Sequence, residues 1–99
     1  MNKISIDSFV KILADGLKLY LDGEGIKIIN DDLQILEKKL SSEFLLPFSE
    51  QSQTPTQLIN NFLKVKYNFE KVVTPQNLGP EAHEQIMLWG LIKARHYDD

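Results

Sequence analysis

Cysteine is absent from the 99 residues. That removes disulfide staples, thiolate nucleophiles and cysteine-ligated metal together. A chain of this length needs no staple, because it can bury roughly two-thirds of the surface that its unfolded state exposes. Long apolar runs are missing as well. The longest, which contains Met87 to Ile92, falls far short of the roughly 20 residues that a membrane helix requires. The opening segment, MNKISIDSFVKILADGLKL, carries acids where a secretion signal needs an unbroken apolar stretch. The expected location is therefore cytoplasmic, with no membrane partner.

Arginine is nearly absent, Arg95 standing against ten lysines. The net charge of −3 is unevenly spread, with six lysines and nine acids in residues 1–50 and five bases and three acids in residues 51–97. An excess of two positive charges in the second half is too small for a phosphate-binding footprint.

The motifs of common site chemistry are also lacking. His83 and Glu84 begin the string HEQIM, but Met87 stands where a zinc-protease helix needs its second histidine. His83 and His96 lie thirteen residues apart on one expected helix, roughly 20 Å at about 1.5 Å per residue, too far to share an ion. Gly23-Glu24-Gly25 has no third glycine in register and no following Gly-Lys, so it reads as a turn rather than a phosphate loop. No serine sits in a nucleophile elbow. Asp31 and Asp32 are neighbours at a helix start, where they diverge by about 100° and favour the helix dipole instead of forming a dyad. No catalytic, cofactor-binding or metal site is expected, and the chain is read as a non-enzyme.

What is present is helical periodicity. Ile6, Phe9, Val10, Leu13, Leu17 and Tyr20 form one apolar stripe. It predicts a helix over 6–21, capped by Ser5, stapled by Ile4 and Phe9, and ended at Gly23. Leu33, Leu36, Leu40 and Phe44 predict a second helix over 31–44, with Asn30 as cap and Pro47 beyond it. Thr54, Pro55 and Gln57 stand in capping-box register for a third, which buries Leu58, Ile59, Phe62, Leu63 and Phe69 and stops at Thr74-Pro75. A fourth opens at Gly79-Pro80 and runs to about His96, with acids in its first turns and bases in its last.

Residues 25–29 and 71–74 are rich in β-branched side chains. Paired, they would form a two-stranded ribbon and an α+β fold; unpaired, they are extended connectors pressed on the core, which is the expectation here. The fold class is thus all-α, one compact four-helix bundle-like domain over residues 1–99.

Two surfaces draw notice. Lys64, Lys66 and Lys71, interleaved with Tyr67 and Phe69, resemble a segment that tracks a nucleic-acid backbone. The chain's net acidity weighs against it. Helix four is apolar on nearly every side through Met87, Leu88, Trp89, Leu91 and Ile92, with Gly90 among them implying close approach of a neighbouring backbone. Burial by three neighbours is the common outcome for such a helix. The functional alternative is that a chain this short leaves Met87, Leu88 or Trp89 to meet a partner, rimmed by Asp22, Glu24, Asp31 and Asp32. The expectation is a non-catalytic protein-binding module of inhibitor, immunity or adaptor kind. Its partner is another protein or a second copy of the chain, and a nucleic-acid-binding regulator is the alternative.

Overall fold

The computed structural model describes the backbone of residues 5–98 and side chains through Arg95. Ile4 of the expected staple and the His96 side chain lie outside the described residues. The fold is all-α, with α1 (Ile6–Gly23), α2 (Asn30–Phe44), α3 (Pro55–Tyr67) and α4 (Pro80–Asp98). Two short 3₁₀ turns, Phe48–Glu50 and Pro75–Leu78, precede α3 and α4. No strand occurs among the described residues.

The central helix is α1, which packs against α2, α4 and the Pro75–Leu78 turn. Phe9, Leu13, Leu17 and Leu21 are fully buried along one side, each side chain stabilising by about 1.5–3 kcal/mol on leaving water. Leu36, Leu40 and Phe44 from α2, and Leu58, Ile59, Phe62 and Leu63 from α3, complete the core. Three rings knit its far end. Phe9 meets Phe44 edge-on at 6.1 Å, and Phe44 meets Trp89 edge-on at 5.5 Å, geometries that the ring quadrupole favours.

Helix ends follow local chemistry, with three departures from expectation. Ser5 caps α1, and Thr54 with Gln57 forms the reciprocal capping box of α3. Past α1 the left-handed residue is Gly25 (φ 79°), not Gly23, because the helix runs through Gly23. The Ile26 amide donates to the Leu21 carbonyl at 2.8 Å and the Gly25 amide to Asp22 at 3.1 Å, the paired closure of a Schellman motif. At α2, Asn30 is already helical and Ile29 is the capping position, without a side-chain bond. At α3, the chain leaves the helix at Asn68 (φ 52°) rather than at Thr74-Pro75. Asparagine tolerates that left-handed conformation.

Residues 25–29 and 71–74 are connectors, and their backbones find side-chain partners instead of each other. The Val73 amide donates to Asn60 Oδ1 at 2.8 Å, and Asn60 Nδ2 donates to the Val73 carbonyl at 3.0 Å. The Ile29 amide donates to the Tyr67 hydroxyl at 3.3 Å. With those groups satisfied, nothing drives a ladder. Ile28 and Val73 are buried, which ties each connector to the core.

Glycine in the middle of α1 lets the Pro75–Leu78 turn come close to it. A Cβ on Gly16 would lie 2.0 Å from the Leu78 carbonyl oxygen. The close backbone approach is therefore here and not at Gly90, where an added Cβ meets nothing within 4 Å. Nothing in the structure requires glycine at position 90.

Candidate protein-binding surface

Helix α4 packs chiefly against α1 and the two 3₁₀ turns, so three full helices do not surround it. Its inner face is Ala82, Ile86 and Trp89, all buried. Trp89 is only 7% exposed, and the Lys93 ammonium lies 5.0 Å from its ring centroid. The indole Nε1 is buried without a hydrogen-bond partner among the described residues. Half a turn away, Met87 is 54% and Leu91 62% exposed, with Leu88 half-buried beside them. The apolar circumference read from sequence thus splits in two. Trp89 belongs to the core, whereas Met87, Leu88 and Leu91 form an outer strip.

Asp22 and Glu24 stand elsewhere. Trp89 meets Phe44, which meets Phe9 near the start of α1, while Asp22 and Glu24 lie at its far end, thirteen residues beyond Phe9 in the case of Asp22. That is roughly 20 Å along the helix, so Asp22 and Glu24 do not rim the α4 strip. Two of the acids expected there hold the fold together. Glu24 Oε1 accepts from Lys71 Nζ at 2.6 Å, and Asp32 Oδ2 accepts from the Tyr67 hydroxyl at 2.6 Å. Asp22 and Asp31 are exposed.

These pairs engage the basic-aromatic segment too. Lys71 is held by Glu24, Tyr67 by Asp32 and Ile29, and Phe69 packs edge-on against Tyr20 at 6.3 Å. Both rings are half-buried. Lys64 and Lys66 remain exposed. Among the described residues no group of three or more histidines, acids or cysteines could hold a metal, and no helix is long and apolar enough to cross a membrane.

The same contacts give a pH signature. Burial, then the hydrogen bond to Asp32, holds the Tyr67 hydroxyl above its ordinary 10.0. The hydrogen bond and charge of Glu24 push the Lys71 ammonium above its ordinary 10.5. Both groups bind their proton more tightly in the folded chain. Their contribution is therefore complete below the ordinary values and is lost as pH rises through the raised folded values. Urea midpoints are expected to fall above about pH 10, and the slope should flatten when Tyr67→Phe and Lys71→Met are combined. An unchanged slope in the double variant contradicts these two pairings.

One feature went unseen in the sequence, a groove between α2 and α3. Two adjoining open depressions of 540 and 270 Å³ share Lys39, Gln53 and Leu58 as lining. The groove needs residues from two helices at once, so no single periodic stripe announces it. No known protein family, curated protein or solved structure is significantly similar to the chain.

Proposed function

We propose that the chain is a non-catalytic protein-binding module that covers a partner with the outer strip of α4. The observation that carries this reading is the division of α4: Trp89 secures its inner face, yet Met87 and Leu91 stay exposed on the other. Large apolar side chains exposed together in a fold that has already satisfied its core are characteristic of partner surfaces.

A second copy of the chain is the occupant that the strip suits best. Glu84 and Arg95 are both exposed, and they flank Leu88 and Leu91 at spacings of four, three and four residues. In an antiparallel pairing centred between Trp89 and Gly90, Glu84 faces the partner's Arg95 and Leu88 faces the partner's Leu91. A single helix face buries less than the roughly 1,200–2,000 Å² of a stable complex, so association in the micromolar range is expected.

Light scattering over a concentration series tests this reading. The mass should rise from 11.4 kDa toward twice that value, and Met87→Asp with Leu91→Asp should abolish the rise. A strictly monomeric chain that still captures a protein from native lysate, with capture lost in the same double variant, would replace the second copy by a different protein. Capture or self-association indifferent to both substitutions would refute the α4 reading.

A further inference from the structure

We infer that the α2–α3 groove is a second docking site, built to receive an acidic amphipathic helix from a protein partner. It lies apart from the α4 strip, since its lining comes from α2, α3 and the segment between them.

Two rows of side chains, one from each helix, make it. On α2, Ile35, Lys38, Lys39, Ser42 and Glu43 recur at helical spacing toward Leu46 just beyond. On α3, Leu58, Asn61, Phe62, Val65 and Lys66 do the same. Each row follows the three- and four-residue steps of one helix face. From Ile35 to Leu46 the groove is roughly 16 Å long, which accommodates about three turns of a docked helix.

The floor and rim define the chemistry of the occupant. Leu58 and Phe62 form an apolar floor, and Ile35, Leu46 and Val65 extend that surface outward, Val65 being 84% exposed. A floor of this kind selects apolar anchors at one-turn spacing, the mode by which amphipathic helices bind grooves. The rim is basic. Lys38, Lys39 and Lys66 surround the floor and are all exposed, in a chain whose net charge is −3. The acid of the lining, Glu43, is turned to its own chain, its Oε2 accepting from the Ser52 amide at 2.6 Å and the Ser52 hydroxyl at 3.4 Å. Three lysines about an apolar floor match a helix with acids flanking apolar anchors. A phosphate backbone would satisfy the lysines but leave the floor wet, so the apolar lining favours protein.

Fluorescence anisotropy on the full chain tests this inference with three labelled probes: a Leu/Glu amphipathic 14-residue peptide, its scramble of identical composition, and oligo-dT. The amphipathic peptide should bind, weaken with added salt, and weaken by about tenfold or more with Val65→Asp and with Lys39→Glu/Lys66→Glu. These side chains are exposed, so both variants should retain the wild-type circular dichroism spectrum. Met87→Asp/Leu91→Asp should leave peptide binding unchanged, which separates this site from the α4 reading. Equal binding of the scramble, indifference to the groove variants, or tighter binding of oligo-dT would overturn the proposal.

Discussion

Gly16→Ala is expected to destabilise the chain by about 3 kcal/mol, although alanine is the better helix former by about 1 kcal/mol. The added methyl would sit 2.0 Å from the Leu78 carbonyl oxygen and 2.9 Å from its carbon. Both are backbone atoms, so no side-chain rotation relieves the clash. Either α1 or the Pro75–Leu78 turn must move. That turn leads directly into α4, whose first buried residue is Ala82, so the displacement spreads into the packing of α4. Gly90→Ala is the matched control. Nothing lies within 4 Å of its added Cβ, and removing a mid-helix glycine should raise stability by up to about 1 kcal/mol. Denaturant melts of the two variants should therefore move in opposite directions. A Gly16→Ala midpoint at or above wild type would mean that α1 and the turn are not in backbone contact.

Trp89→Ala should cost about 3–5 kcal/mol. The loss removes the ring that closes the Phe9–Phe44–Trp89 chain and leaves a cavity between α2 and α4. Trp89→Phe should be much milder. The indole N–H makes no hydrogen bond within the described residues, so its removal leaves no acceptor stranded, and a smaller ring can keep the edge contact. In the wild-type chain the same burial predicts a blue-shifted emission that iodide quenches poorly. Equal losses for the alanine and phenylalanine variants would contradict the packing role assigned to the ring.

The elements were legible because amphipathic helices announce themselves in a single stripe. Leu13, Leu36 and Phe62, expected to face inward, are all buried. The capping residues Ser5 and Thr54 were readable for the same local reason. What the sequence withheld is tertiary. Whether α4 or α1 is central depends on how helices assemble, and so does the glycine that permits close approach. That Glu24 and Asp32 are engaged within the fold was not readable, because their partners lie 47 and 35 residues away. The α2–α3 groove was hidden for a related cause, its apolar floor and lysine rim coming from two helices that only the tertiary fold sets side by side.

The most direct test of the account is a urea unfolding curve of Met87→Asp/Leu91→Asp, recorded at a concentration low enough to keep the chain monomeric. In the proposed function, the stability of α4 rests on Ala82, Ile86 and Trp89, which are buried, and the outer strip serves a partner. The double variant should then unfold within about 0.5 kcal/mol of wild type. A loss approaching that of Trp89→Ala would contradict it, because Met87 and Leu91 would then belong to the core and α4 would have no outer face to offer.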